Sequence, residues 1–62
     1  MIRKNEARIG ARVKWQSLDP AIEPARGIIV NVTADQAFIL CDDGEDSDTY
    51  LDNGASCWSL EG

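Results

Sequence analysis

The residues with the most chemistry in this chain are carboxylates: Asp42, Asp43, Glu45, Asp46, Asp48 and Asp52 crowd together around Gly44. Acids this dense could gather a hard cation such as Ca²⁺, which takes several carboxylate and carbonyl oxygens. Their spacing departs from the calcium-loop pattern D-x-[DN]-x-[DN]-G, because no glycine holds the sixth place after a qualifying trio. No metal site is assigned to them. Catalysis has equally little to stand on. The chain has no histidine, which removes the usual general base and the commonest metal ligand. Cys41 and Cys57 have no activating partner, and neighbouring acids raise a thiol's pKa and make it a poor nucleophile. A Gly-rich phosphate loop and a Cys/His metal cluster are both missing from the sequence. The expectation is a protein that is not an enzyme and carries no cofactor.

Binding is what these residues can do. The formal charge is −5 over 62 residues, and it is divided unevenly. The first thirty residues hold every cation (Arg3, Lys4, Arg8, Arg12, Lys14, Arg26) against Glu6, Asp19 and Glu23. The remainder holds Asp35, Asp42, Asp43, Glu45, Asp46, Asp48, Asp52 and Glu61 with no cation. A field of that sign repels nucleic acid and anionic membrane and favours a basic protein as partner. The partner-binding residues expected on this ground are Asp42, Asp43, Glu45, Asp46 and Asp48, with Tyr50 and Trp15 as aromatic contacts. In the extreme, such a face imitates the charge of a nucleic acid backbone. The plainer reading is a solvated hairpin whose charge blunts a sheet edge. An opposite reading uses Arg3, Lys4, Arg8, Arg12 and Lys14 to grip phosphates. The two halves could also pair with each other, within one molecule or between copies, so self-association belongs among the expectations.

The elements that must position these groups are short. Ala11 to Trp15 alternates, with Ala11, Val13 and Trp15 on one side and Arg12 and Lys14 on the other, which is a strand with one buried face. Pro20 and Pro24 make QSLDPAIEPA a long irregular connection. Gly27 to Val32 is β-branched almost throughout and reads as a strand buried on much of both faces. After TADQ comes AFILC, another strand. Asp43-Gly44 is then a strong signal for a two-residue hairpin turn, which would set Asp42 opposite Glu45. That like-charge pair is unfavourable unless something positive lies over it. A strand from about Ser47 to Leu51 follows, then Asn53-Gly54 as a second turn of the same chemistry. ASCWSL ends the chain as a final strand, with or without a short 3₁₀ turn before it.

Five short strands and no helix describe a small curled barrel, whose closure would hide its edges. Residues 1 to 8 lack a strong period and are expected to form an arm, with residues 9 to 62 as the barrel domain. The expected core is Val13, Trp15, Ile28, Val30, Val32, Phe38, Leu40, Leu51, Trp58 and Leu60. The TADQ turn leaves open whether Ile28 and Val30 or Ile29 joins Phe38 and Leu40 inside. The losing side is a candidate for an exposed apolar patch.

The series G-A-R-V-K-W, G-I-I-V-N-V, A-F-I-L-C-D-D-G-E and W-S-L-E-G resembles the SH3-like small barrels of the Tudor and KOW kind, from Ile9 to Glu61. The resemblance implies an all-β, five-stranded SH3-like barrel with little or no helix. It also implies aromatic grooves or cages, here from Trp15, Trp58 and Tyr50, that take proline-rich segments or methylated lysine. The likeness to KOW domains, which grip phosphates in RNA-associated proteins, implies a nucleic-acid-binding face at Arg3, Lys4, Arg8, Arg12 and Lys14. Type II dihydrofolate reductase is a more distant likeness. Its active run Val-Gln-Ile-Tyr corresponds to Ser47-Asp48-Thr49-Tyr50-Leu51, where only Tyr50 matches, and aspartates in its pore would repel an anionic dinucleotide.

The chain is 44% hydrophobic and 27% charged, with no stretch near the roughly 18 apolar residues that a membrane span needs. MIRKNEARIG lacks the apolar core of a signal peptide, and two cysteines fall short of a disulfide framework. The expectations are thus reduced thiols, a cytoplasmic location, no membrane, and a stand-alone accessory protein of bacterial or phage type. Its function is expected to be docking of a basic protein through the acidic hairpin. A KOW-like nucleic-acid module is the alternative and the reductase a remote one.

Overall fold

Each apolar run of the sequence becomes a strand in the computed structural model, which describes Met1 to Glu61. Gly62, the last residue of the expected barrel domain, lies outside the described residues. The strands are β1 (Arg12–Trp15), β2 (Ala25–Val32), β3 (Gln36–Cys41), β4 (Asp46–Tyr50) and β5 (Trp58–Leu60). All neighbours are antiparallel, in one sheet of order β4-β3-β2-β1-β5. The protein is therefore all-β, a five-stranded sheet curled into a half-barrel, with no helix among the described residues. The edge strands β4 and β5 do not pair with each other. Between them the chain turns at Leu51-Asp52, where Asp52 has a φ of 56°, and again where Ser56 N–H donates to Asn53 C=O at 3.0 Å. The hydroxyls of Thr49 and Ser56 then hydrogen-bond to each other, linking β4 to the approach of β5. Asn53-Gly54 is thus not the hairpin turn expected from its sequence, since the strands on either side of it lie at opposite edges.

The concave face buries Val13, Ile29, Ala37 and Ile39, closed over by Ile2, Ala7, Leu51 and Trp58. Trp15, Val32 and Leu60 pack partly buried against that cluster. Four residues of the expected core are elsewhere. Ile28 and Phe38 are only half-buried, and Val30 and Leu40 are 47% and 40% exposed. All four belong to the convex face, opposite Ile29 and Ile39. Two local features cause the inversion.

The first is the β3–β4 turn. Gly44 N–H donates to Cys41 C=O at 2.9 Å and Cys41 N–H to Glu45 C=O at 2.8 Å, and of the turn residues only Gly44 has a positive φ, at 92°. The loop is a three-residue turn ending in a left-handed glycine, not the two-residue turn that Asp43-Gly44 signals. Cys41, not Asp42, therefore faces Glu45. One residue of slip turns every side chain to the other face: Leu40 pairs with Asp46 and Phe38 with Asp48, while Ile39 and Ala37 pair with Ser47 and Thr49. Aspartates belong in water, so Leu40 and Phe38 follow them outward.

The second is a bulge. The β2–β3 register shifts between Ile29 and Asn31, so the extra residue Val30 lets Ile29 and Val32 both face inward. Strict alternation of Ile28, Val30 and Val32 is broken at that point.

The first eight residues do not stand off as an arm. Ile2 is fully buried and Ala7 is 6% exposed. A turn holds them, with Glu6 and Ala7 N–H both donating to Arg3 C=O at 2.9 and 3.0 Å. Asp52 N–H donates to Ile2 C=O at 2.9 Å, and Lys4 N–H donates to Asp52 Oδ1 at 3.2 Å.

Candidate functional site

The expected acidic site sits on the β3–β4 hairpin, and the structure keeps most of it together. Asp42 and Asp43 form the turn, Glu45 follows it, and Asp46, Asp48 and Tyr50 alternate along the outer face of β4. All are exposed. Asp43 Oδ1 accepts Glu45 N–H at 3.0 Å and so shapes its own turn. Asp48 Oδ2 accepts from Gln36 Nε2 at 3.0 Å. Asp42 receives both Nη atoms of Arg12, at 3.3 and 3.1 Å. Asp43, Glu45, Asp46 and Asp48 make no ion pair among the described residues.

Crowded acids leave a mark on the neighbouring thiol. Cys41 lies at the root of the turn, half-buried and free. Burial pushes its thiol above the ordinary value, and the charges of Asp43, Glu45, Asp42 and Asp46 push it further. A recess of about 230 Å³ beside it is lined by Pro24, Ala25, Arg26, Cys41, Asp42 and Asp43. That is smaller than the roughly 300–1,000 Å³ of small-molecule sites.

Trp15 is not part of this constellation. It shares the concave side of β1 with Val13 and pairs with Trp58 of β5, whereas Tyr50 projects from the convex side of β4, 56% exposed. The aromatic groove of Trp15, Trp58 and Tyr50 is thus not assembled, because alternation sends them to opposite faces. Trp58 itself is core, 7% exposed.

The expected basic residues divide into two groups. Arg3, Lys4 and Arg8 lie on the N-terminal segment, where Arg3 Nε is 4.0 Å from Glu6 Oε1 and Arg8 Nη1 donates to Ala7 C=O at 3.0 Å. Arg12 and Lys14 lie on the convex face of β1, where Lys14 pairs across with Arg26 of β2. Arg26 was not among the expected site residues; its place follows from the β1–β2 register. It is itself neutralised, with Nη1 3.7 Å from Glu61 Oε1.

The convex face therefore has a pattern that side-by-side reading of motifs missed. One cross-strand row runs Arg12, Ile28, Leu40, Asp46 through β1, β2, β3 and β4. Phe38 and Asp48 lie beside it, then Gln36 and Tyr50. Cations occupy one side, aliphatic and aromatic groups the middle and acids the other side. The alternation of aspartates in DSDTY, paired to β3 in the correct register, is the signal that would have found it. Among the described residues no three potential metal ligands are gathered in one place, and no helix is long and apolar enough to cross a membrane.

Comparison of the chain with protein-family models, curated proteins and solved structures finds no match in any of the three.

Proposed function

We propose that this chain is a non-catalytic binding module of the SH3-like small-barrel kind, whose acidic β3–β4 hairpin docks a basic protein partner in the cytoplasm. The observation that carries this reading is the ion-pair pattern. Asp43, Glu45, Asp46 and Asp48 stand exposed without a cation, next to apolar Leu40 and Phe38. Unpaired charge of one sign on a short rigid hairpin steers an oppositely charged partner and sets its orientation. Adjacent apolar area then supplies affinity. The KOW-like alternative is weakened by the same pattern, since Arg12 and Arg26 are already engaged with Asp42 and Glu61. Among the described residues that leaves Lys14 as the unpaired cation of the β1 face.

Titration with an oligolysine peptide and, separately, with a single-stranded RNA oligonucleotide, followed by amide chemical shifts, tests the proposal. Shifts centred on residues 42 to 48 with the peptide, abolished in D43N/E45Q/D46N/D48N and weakened by salt, support it. Shifts around Lys14 with the RNA and none with the peptide would replace it by the nucleic-acid reading.

A further inference from the structure

We infer that the convex face of β1 to β4 is, without a basic partner bound, the interface of a two-fold homodimer, so that a second copy competes with that partner for Asp46, Asp48, Leu40 and Phe38. The starting point is that the middles of β2 and β3 are apolar on both faces, flanked on the convex side by Arg26, Asn31 and Gln36, a pattern of sheets covered on both sides. The chain's own residues cover only the concave face. On the other, Val30 and Leu40 are 47% and 40% exposed, with Tyr50 at 56% and Ile28 and Phe38 half-buried between them.

The occupant is identified by charge. The row Arg12, Ile28, Leu40, Asp46 reads cation, apolar, apolar, anion, and such a row complements its own reverse. A two-fold axis parallel to the strands, between β2 and β3, lays β1 of one copy over β4 of the other. Arg12, whose guanidinium also holds Asp42 of its own chain, then approaches the second copy's Asp46, Ile28 approaches Leu40, and Lys14, two residues nearer the hairpin end, approaches the second copy's acidic turn. An axis across the strands would lay β4 on β4 and set aspartate against aspartate. Charge thus selects one of the two arrangements, and that one closes on itself without leaving an apolar face to propagate. A stable interface needs about 800 Å² per partner, roughly a fifth of the 4225 Å² surface of this chain. A single face of the sheet is of that order. An axis along the strands also brings both hairpin tips to the same end, with Lys14 of each copy facing the other's acidic turn.

Sedimentation velocity of the full chain at low salt, from micromolar to submillimolar concentration, tests the inference. The expected result is conversion of the 6.8 kDa monomer to a dimer, with association weakening as salt rises. Leu40→Lys places a charge at the apolar centre without touching the core, and should weaken association about a hundredfold while circular dichroism is unchanged. Arg12→Glu and Asp46→Lys should each weaken it about tenfold, and should restore it when combined in one chain or when the two single variants are mixed. A monomer at the highest concentration overturns the inference. So does a dimer indifferent to Leu40→Lys, or a charge swap that fails to rescue. Oligolysine titration of the unaltered chain at a dilution where it is monomeric reads the hairpin's docking role separately.

Discussion

Arg12 on β1 and Asp42 in the β3–β4 turn, thirty residues apart, meet through a paired set of hydrogen bonds at 3.3 and 3.1 Å. The contact joins the basic strand to the acidic hairpin within one molecule. It also supplies the positive charge that a turn this rich in acid requires. Both side chains are about half exposed, so the pair contributes modestly. A double-mutant cycle with Arg12→Gln and Asp42→Asn should give a coupling of about 0.2–1 kcal/mol, shrinking in 1 M salt. Zero coupling at low salt would mean that the pair does not persist in solution.

The inversion of β3 is tested by two neighbours of nearly equal hydrophobicity. Ile39 is 1% exposed and Leu40 is 40% exposed. Urea unfolding at a dilution where the chain is monomeric should show Ile39→Ala costing about 2–5 kcal/mol. Leu40→Ala should cost roughly 0.5 kcal/mol. Reversed magnitudes would return Leu40 to the core and undo the register.

Gly27 is held by contact, not by backbone angle. A Cβ there would lie 2.7 Å from Leu40 O and 2.8 Å from Ile39 Cγ2, and backbone cannot yield as a side chain can. Gly27→Ala should therefore destabilise by about 1–3 kcal/mol. Gly44 is the converse case, with open space around it and a φ of +92°, so Gly44→Ala should cost about 1–2 kcal/mol through the left-handed backbone alone. Thermal unfolding of both variants checks the values, each kcal/mol lowering Tm by roughly 4–8 °C in a domain of this size.

The N-terminal segment carries core. Ile2→Ala should cost about 2–5 kcal/mol, a large share of the total for a chain this small. Native-like stability in Ile2→Ala, measured by urea unfolding, would show that residues 1 to 8 contribute no packing.

Cys41 should show the sign of its environment. Its thiol is raised by burial and then by the surrounding acids, so the folded chain holds that proton more tightly than the unfolded chain. The associated stability is complete below the unfolded thiol pKa, about 8.5, and is lost as pH rises through the folded value. Iodoacetamide labelling read by mass spectrometry at pH 8 should be slower at Cys41 in the native protein than in D43N/E45Q/D46N. Equal rates would mean that the acids do not act on the thiol.

Strand number, strand positions and the all-β class were legible in the sequence alone, because alternation, β-branching, paired prolines and turn dipeptides are local properties. The acidic hairpin was legible for the same reason, and so was the burial of Trp58 in phase with its neighbours. What only the tertiary structure decided is which face of β2 and β3 is inside. AFILC and GIIVNV are apolar on both sides, so their own residues cannot choose. The choice was made by one extra residue in the Cys41 to Glu45 turn, by the bulge after Ile29, and by the outward demand of Asp46 and Asp48 transmitted across the ladder. Ile2 was hidden from pattern reading as well, since a single apolar residue in a polar segment has no period. Its burial exists only because Leu51 and Asp52 are brought beside it. A periodicity of two reports that a strand exists, whereas register and closure depend on contacts distant in the chain.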